Sequence, residues 1–189
     1  STVGLLFMWL LDDGPVGNAD RDVAFWLEDR RTERLDTLST IGSGFSDTIV
    51  KVILVAVVGG IMVGAFRRWH DGLMLAVTVI FEASVFVLTS FIVGRERPPV
   101  EKLEEAAPSG SFPSGHAAAS VAFYATLLVI AGWHTRRVAV RSVMWAVAIV
   151  VPIIVAVART YRGMHHATDV LAGVLLGIAS IYVVRRALQ

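Results

Sequence analysis

Five long apolar runs limit the folds open to this sequence. They cover residues 48–66, 72–94, 115–133, 138–158 and 167–184, and short polar breaks separate them. A helix needs about 20 mostly apolar residues to cross the hydrocarbon core of a bilayer. Charged residues make up only 17% of the chain, less than in a typical soluble domain. The sequence therefore predicts an all-α, polytopic bundle of transmembrane helices with five full spans.

The residues before the first run predict a sixth, partial span. Residues 3–11 are apolar but too few to cross a membrane, and the chain begins with Ser1 rather than Met. We interpret residues 1–11 as a truncated first transmembrane helix, with a shallow interfacial segment as the alternative. The predicted organisation is then a partial span over 1–11, an extracytoplasmic or interfacial segment over 12–47 and a membrane core over 48–189.

Arginines in alternate connections predict the orientation of the spans. The seven arginines are Arg67, Arg68, Arg136, Arg137, Arg141, Arg185 and Arg186, and Asp71 is the only acid among them. Lys and Arg favour cytoplasmic loops. The stretch 12–47 and the loop 95–113, which are rich in Asp and Glu, would then face outward. We predict a multi-pass protein of the cell (cytoplasmic) membrane.

Residues 20–38 predict a helix lying at the outer surface. Asn18 or Asp20 can cap its beginning. Its apolar residues can form a stripe against lipid or the bundle. These residues are Val23, Trp26, Leu27, Leu35 and Leu38. A solvated connector is the alternative.

Two Gly-x-x-x-Gly pairs predict close helix packing. They are Gly60 with Gly64 and Gly173 with Gly177. Small residues at this spacing let helices approach closely in lipid. We expect packing inside the bundle, with a homodimer interface as the alternative.

Composition excludes several functions. A net charge of +1 gives no electrostatic support to a nucleic-acid partner. The chain has no cysteine, which excludes disulfides, thiolate catalysis and thiolate-bound zinc.

The segment 113–116, Pro-Ser-Gly-His, predicts an anion site at a helix start. It immediately precedes an apolar run, and Ser114 can cap the helix. Free backbone N–H groups and the helix dipole favour an anion there. Gly115 leaves room for a phosphate to approach, and His116 can donate a proton near neutral pH. The alternative is an ordinary capped helix with an interfacial histidine.

The segment 159–169 predicts a histidine activated by an acid. His165 and Asp169 are four residues apart, so they share a face at a helix start. An Asp that accepts from one imidazole nitrogen leaves the other as a nucleophile or base. Arg159 and Arg162 lie just upstream and suit phosphate oxygens. His166 has no assigned task.

Arg97 and Arg95 follow the 72–94 run at its predicted outer end. They can be snorkelling anchors for the helix. However, all three segments fall on the same predicted face of the membrane. Together they supply a nucleophile, an orienting acid, a proton donor and several anion-binding groups, which is a complete set for phosphoryl transfer.

These motifs resemble those of the type 2 phosphatidic acid phosphatase family of membrane lipid phosphatases, which shares its core with vanadium haloperoxidases. The family pattern is Lys-x6-Arg-Pro, then Pro-Ser-Gly-His, then Ser-Arg-x5-His-x3-Asp. Here these become Arg97-Pro98, an intact 113–116, and Arg159 with His165 and Asp169 at matching gaps. The resemblance covers roughly residues 48–184.

Two positions depart from the family pattern. Ser90 stands where the family has its Lys, and Ala158 stands where it has Ser before Arg. Both changes weaken the predicted phosphate cradle. Arg95, Lys102 or Arg162 can compensate.

The resemblance implies hydrolysis of a lipid phosphate at the outer face. His165 would form a phosphohistidine, Asp169 would orient it, and His116 would protonate the leaving oxygen. Phosphate binding is implied for the side chains and N–H groups of Arg97, Arg159, Ser114 and Gly115, with Arg95 close by. A polyprenyl diphosphate such as undecaprenyl diphosphate is favoured, with phosphatidic acid or phosphatidylglycerophosphate as alternatives. Fixed arginines take the place of a metal, so we expect neither a metal nor another cofactor.

Two other functions remain as alternatives. One is a metal-dependent membrane hydrolase using His116, His165, His166 and Asp169 as ligands. The other is a non-catalytic lipid-phosphate binding or carrier protein, which the departures at Ser90 and Ala158 would suit.

Glu82 lies in the middle of a predicted span, where an ionisable residue is a functional candidate. It matches no family motif. We interpret it as a protonated structural hydrogen-bond donor, with a partner for a neighbouring helix or a contact to the lipid head group as alternatives.

Overall fold

A computed structural model describes residues 12, 14–106 and 108–189, and in that part of the chain all regular structure is helical. Seven helices account for it. They are α1 (Pro15–Glu28), α2 (Glu33–Gly44), α3 (Thr48–Gly64), α4 (Trp69–Val93), α5 (Gly115–His134), α6 (Val138–Tyr161) and α7 (Ala167–Ala187). The predicted all-α class is confirmed.

Four helices, α4 to α7, are long and apolar enough to cross a membrane, and they coincide with four of the five predicted spans. The remaining run forms α3, which has only 17 residues. Helices α2 and α3 together are also long and apolar enough to cross a membrane, but they are bent by 43° at their junction. The described residues thus contain four spans, or five if the bent pair is one span. The predicted partial span over 1–11 lies outside the described residues.

The prediction of one surface helix over 20–38 is wrong, because the chain forms α1 and α2 with a break at 29–32. Thr32 caps α2 and accepts from the N–H of Leu35. The predicted caps are also wrong. Gly14 occupies the cap position of α1, and Pro15 follows it. Proline suits the first helical position, because its fixed φ and missing N–H cost nothing there.

One glycine pair packs as predicted and the other does not. A Cβ added to Gly177 would lie 2.6 Å from the carbonyl oxygen of Ala118, and one at Gly173 would strike the carbonyl of Ser114. Packing of α7 against α5 inside the bundle is thereby confirmed. A Cβ at Gly60 or Gly64 would meet nothing within 4 Å among the described residues.

Helix α3 instead approaches α4 through a different small residue. A Cβ at Gly72 would lie 3.2 Å from the carbonyl oxygen of Gly59. Among the described residues, packing of α3 thus runs through Gly59 rather than through Gly60 and Gly64, because a residue one position earlier faces the neighbouring helix. The alternative, a homodimer interface, stays a prediction.

The arginine-rich connections meet at one end of the bundle. His134 Nε2 lies 2.7 Å from Asp71 Oδ2, which joins the end of α5 to the beginning of α4. The guanidinium of Arg185 lies 5.8 Å from the centre of the Trp133 ring. The segments 94–114 and 162–166 connect the other ends of these helices. The three motifs are thus gathered at the end opposite the arginines.

Candidate active site

A cavity of about 740 Å³ joins the motif residues to the apolar walls of two helices. Its polar lining includes Arg97, Glu104, His116, Arg159 and His165. Its apolar lining comes mainly from α3 and α4 and includes Val52, Val55, Ala76, Val79, Ala83, Phe86 and Val87. The stretch from Ala76 to Val87 follows α4 for about 16 Å at 1.5 Å per residue. A polar chamber is thus continuous with an apolar slot.

His165 is held in one tautomer by a backbone carbonyl. Its Nδ1 lies 2.7 Å from the carbonyl oxygen of Ser111. A carbonyl oxygen can only accept, so Nδ1 carries the proton and Nε2 keeps its lone pair. Burial, with Arg159 and Arg97 nearby, holds the pKa of His165 well below its usual 6.5. The imidazole is therefore neutral at ordinary pH, as a nucleophile requires.

Asp169 does not orient His165 as the sequence predicted. Its Oδ1 accepts from Arg95 at 2.5 Å, and its Oδ2 accepts from the backbone N–H of His166 at 2.8 Å. The physical reason is its position at the third residue of α7, where a carboxylate can turn back and satisfy the free N–H of the cap residue. Asp169 thus stabilises the start of the helix that follows His165.

Arg95 lies in a cluster of carboxylates rather than in the main cavity. Its side chain is 1% exposed and forms ion pairs with Asp12 and Asp20, both at 3.0 Å, as well as with Asp169. Burial alone would lower the pKa of Arg95, but these carboxylates outweigh it and raise the pKa. The cluster joins the N-terminal region to the start of α7, so the structure does not place Arg95 among the cavity-lining cations.

Arg159 and Arg162 share one carboxylate, that of Glu104. Arg159 Nη1 contacts Glu104 Oε1 and also donates to Ser43 Oγ at 2.9 Å. Arg162 Nε lies 2.9 Å from Glu104 Oε2. Burial would raise the pKa of Glu104, but the two arginines lower it. A carboxylate thus occupies an anion position on Arg159 at the cavity wall. Sequence reasoning missed Glu104, which matches no motif in its loop.

Arg97 lines the cavity and supports the loop that carries His165. Its Nη1 donates to the carbonyl oxygen of Met164 at 2.6 Å, one residue before His165. Burial and the like charge of Arg159 lower its pKa. Arg159 keeps one buried donor, Nε–H, without a hydrogen-bond partner among the described residues. The two arginines concentrate positive charge next to His165.

The segment 113–116 begins a helix as predicted. Helix α5 begins at Gly115, and Ser114 Oγ accepts from the N–H of Ala117. A Cβ at Gly115 would lie 2.8 Å from the ring of Phe86, so glycine lets that ring pack against the helix start. Gly115 and His116 line the cavity, whereas the Ser114 side chain is fully buried.

His116 has an acidic neighbour that the sequence did not reveal. Its Nε2 lies 3.1 Å from Asp47 Oδ1, at the residue preceding α3. Its backbone carbonyl accepts from Ser46 Oγ at 2.6 Å. Neither residue belongs to a family motif. The only available signal was their position just before an apolar run.

The expected substitutes for the family lysine lie outside the main cavity. Ser90 Oγ donates to the carbonyl of Val87 within its own helix. With Arg95 and Lys102 it lines a second cavity of about 580 Å³. Arg162 donates to Thr40 Oγ1 at 2.8 Å and to the Leu103 carbonyl at 2.8 Å.

One lysine does reach the main cavity, and it comes from a different helix. Lys51, on α3, lines the wall and donates to Ser46 Oγ at 3.0 Å. Sequence reasoning missed Lys51, because a lysine near the beginning of an apolar run resembles a snorkelling anchor.

Within residues 12, 14–106 and 108–189, no group of three or more His, Asp or Glu side chains is arranged to hold a metal ion. The ligand set considered above, His116, His165, His166 and Asp169, is therefore not assembled. Asp169 is engaged by Arg95, and His165 by a backbone carbonyl. Metal independence stays a prediction.

The fold and the grouping of the motifs define a multi-pass, helical membrane protein with an arginine- and histidine-lined cavity. The chain belongs to the PAP2 superfamily, whose family model matches residues 69–189. The resemblance inferred from the three motifs is thereby confirmed.

Two curated relatives match this chain. The chain is 26% identical over 121 residues to phosphatidylglycerophosphatase B of Bacillus subtilis (strain 168), covering 64% of this chain and 59% of the relative. It is 29% identical over 118 residues to an undecaprenyl-diphosphatase of Sulfolobus acidocaldarius, covering 59% of this chain and 53% of the relative. The matches thus span little more than half of each relative.

Two crystal structures share the fold. The PAP2-type phosphatidylglycerolphosphate phosphatase from Bacillus subtilis superposes with a TM-score of 0.85 at 23% identity, covering 98% of this chain and 94% of that one. Aquifex aeolicus LpxE gives a TM-score of 0.68 at 19% identity, covering 87% and 93%. At these identities the likeness concerns the fold alone.

Proposed function

We propose that this protein is an integral-membrane lipid phosphatase, which hydrolyses a lipid phosphate or diphosphate without a metal. One observation carries the proposal: a neutral, buried imidazole and two arginines line a cavity that continues into an apolar slot. The polar chamber suits a phosphate head group, and the slot suits its hydrocarbon tail. Membership of the PAP2 superfamily supports the same reaction.

The reaction begins with attack by His165. Its Nε2 lone pair forms a bond to phosphorus, and the bond from phosphorus to the leaving oxygen breaks. His116 gives its proton to that oxygen. Water then attacks the phosphohistidine, His116 takes a proton from it, and inorganic phosphate leaves with His165 restored. Asp47 Oδ1, 3.1 Å from His116 Nε2, orients this imidazole.

The phosphoryl oxygens are held by fixed cations and helix N–H groups. Arg97 and Arg159 supply the charge, and the first N–H groups of α5 at Gly115 and His116 supply further donors. Ser114 contributes by capping this helix. The phosphate replaces the Glu104 carboxylate on Arg159. Phosphoryl transfer depends mostly on such positioning and charge stabilisation.

Asp169 and Arg95 act as positioning residues in this proposal. Asp169 holds the cap of α7, and Arg95 holds Asp169 in place. Neither needs to touch substrate. The carbonyl of Ser111 takes over the task expected of Asp169, which is to keep Nε2 of His165 unprotonated.

The favoured substrate is a polyprenyl diphosphate, with phosphatidylglycerophosphate and phosphatidic acid as alternatives. The names of the two curated relatives include the first two head-group classes. We further propose that the site faces outward from the cytoplasmic membrane, because the arginine-rich connections lie at the opposite end of the bundle. The cysteine-free chain allows a test with Glu101→Cys and Arg136→Cys and a membrane-impermeant thiol reagent on intact cells. Labelling of Arg136→Cys instead of Glu101→Cys would show that the site faces the cytoplasm.

The decisive experiment measures phosphate release from a panel of lipid phosphates in detergent with a chelator present. We expect release by the unaltered protein and its loss in His165→Ala. His70→Ala is the matched control, because His70 is exposed at the opposite end of the bundle. Normal turnover by His165→Ala would overturn the nucleophile assignment, and activity only after zinc addition would favour the metal-dependent alternative.

A non-catalytic lipid-phosphate carrier is the second candidate. The observation favouring it is that Glu104 already occupies the anion position on Arg159, while Ser90 lacks the family's charge. Binding of a lipid phosphate without any release of inorganic phosphate would support the carrier and refute the phosphatase.

A further inference from the structure

Two buried ionisable residues face the main cavity but have no task in the proposed reaction. Lys51 on α3 is 8% exposed, and Glu82 on α4 is 1% exposed. Both line the same cavity as His165. Ionisable residues at membrane depth are costly, so they mark functional positions by default.

Lys51 lies one helical turn after the acidic neighbour of His116, on the side of the apolar slot. Asp47, which contacts His116, is four residues earlier, or about 6 Å along the helix axis. Val52 and Val55 of the apolar wall follow Lys51 directly. Lys51 therefore lies along α3 between Asp47, beside the place proposed for the reacting phosphate, and the apolar wall proposed for the tail.

The Lys51 ammonium is fixed in position and has donors to spare. It donates to Ser46 Oγ at 3.0 Å, and that hydroxyl donates in turn to the His116 carbonyl at 2.6 Å. An ammonium has three donors. Among the described residues Ser46 takes one of them, so the other two can reach a ligand in the cavity.

Glu82 lines the same cavity without closing the site. Among the described residues the Lys51 ammonium donates to Ser46 rather than to Glu82, although the two charges attract each other. Its Oε1 has no hydrogen-bond partner among the described residues. Lys51 and Glu82 thus both line the cavity without closing it.

We propose that Lys51 binds the second phosphate of a lipid head group, the one between the tail and the phosphate that is removed. The inference rests on the proposed function and names its substrate class. A polyprenyl diphosphate has such a group, and so does the phosphodiester of phosphatidylglycerophosphate. Phosphatidic acid and a polyprenyl monophosphate lack it. Lys51 is then an additional cation from α3, and it holds a different phosphate from the one weakened by the loss of the family lysine at Ser90.

The test compares lipids that share a tail but differ in phosphate number. One pair is a polyprenyl diphosphate and the corresponding monophosphate, and the other is phosphatidylglycerophosphate and phosphatidic acid. The variants are Lys51→Met, which keeps length without charge, and Lys51→Arg, which keeps the charge. For Lys51→Met we expect kcat/KM on the two-phosphate member of a pair to fall about 10- to 100-fold, the size of a lost hydrogen bond to a charged group.

On the one-phosphate lipids, Lys51→Met should change kcat/KM less than about threefold, and Lys51→Arg should restore most of the loss. The pair that shows the effect identifies which second phosphate Lys51 binds. An equal loss on both members of each pair, or no loss on either, would overturn the proposal. If Lys51→Met lowers the Tm, Lys51→Gln carries the same comparison.

Failure of the proposed function gives a different result. In that case the unaltered protein releases phosphate from none of the four lipids. An unaltered protein that is active on both members of a pair, with no selective loss in the Lys51 variants, would refute only the role of Lys51.

Discussion

The two halves of this molecule contribute different things to one site. Helices α4 to α7, with their connections, carry every family motif, including Arg97, His116, Arg159 and His165. The N-terminal part, residues 12–64, lies outside the matched family region, yet it supplies partners for the other half. Asp12 and Asp20 pair with Arg95, Ser43 accepts from Arg159, and Asp47 contacts His116, while Lys51 lines the same cavity. The chemistry thus comes from one half, and much of its electrostatic environment comes from the other.

The largest expected effect is on the link between the halves. Arg95→Met leaves Asp20 and Asp169 buried without their cation. Removing one partner from a buried ion pair typically costs about 3–5 kcal/mol. We expect a fall in the free energy of unfolding of this size, seen as a large drop in Tm in detergent.

Arg30→Met is the control for this stability experiment, because Arg30 is exposed at the end of α1. A Tm equal to that of the control, together with a raised KM, would show instead that Arg95 binds phosphate as its sequence position first indicated.

The next prediction compares kcat/KM in variants of the two arginines that share Glu104. Arg159 lines the cavity, whereas Arg162 is held by α2 and a loop carbonyl. Loss of a donor to the transition state typically costs a factor of about 10²–10³ in rate. We expect such a loss in kcat/KM for Arg159→Met and a loss under about tenfold for Arg162→Met. Equal losses would place both arginines on the substrate.

A smaller effect concerns pH and stability. The pKa of His165 is lowered by burial and by Arg159 and Arg97, so below pH 6.5 the unfolded chain binds a proton that the folded protein does not. Stability must therefore fall as the pH drops, by up to about 2 kcal/mol between pH 6.5 and 5 at 1.36 kcal/mol per unit.

We expect His165→Gln to lose less Tm between pH 7.5 and 5 than the unaltered protein, while the exposed-site control His70→Gln behaves as the unaltered protein does. His166, whose pKa burial and Arg95 also lower, adds a contribution of the same sign. A pH-independent Tm in the unaltered protein would contradict the neutral, buried state of both imidazoles.

The smallest effect concerns the anion position on Arg159. Glu104→Gln removes the negative charge that competes there. We expect inorganic phosphate to inhibit about 3- to 10-fold more strongly, or roughly 1 kcal/mol, the size of a partly screened charge pair. Glu105→Gln, an exposed neighbour on the same cavity wall, should leave the inhibition constant unchanged. If both variants behave alike, Glu104 does not compete with phosphate.

Sequence reasoning was most successful where a pattern is local. The apolar runs located the four spans α4 to α7, and the residues before one run located the start of α5 with Ser114 as its cap. It failed at the break between α1 and α2, where neither the apolar spacing nor the proposed caps marked the boundary at 29–32. Tyr161 hydrogen-bonds to Thr32 from another helix there, which a local pattern cannot reveal.

The sequence by itself determined the class of fold and the chemical groups. Apolar length forces membrane-spanning helices because unpaired backbone groups cannot be left in lipid. The motif spacings likewise selected the histidines and arginines. Only the tertiary structure decided which charge meets which. It paired Asp169 with Arg95 instead of His165, set Glu104 on Arg159 and brought Lys51 into the cavity. A buried charge takes its partner from whatever distant side chain the fold brings within about 3 Å, and no sequence periodicity records that distance.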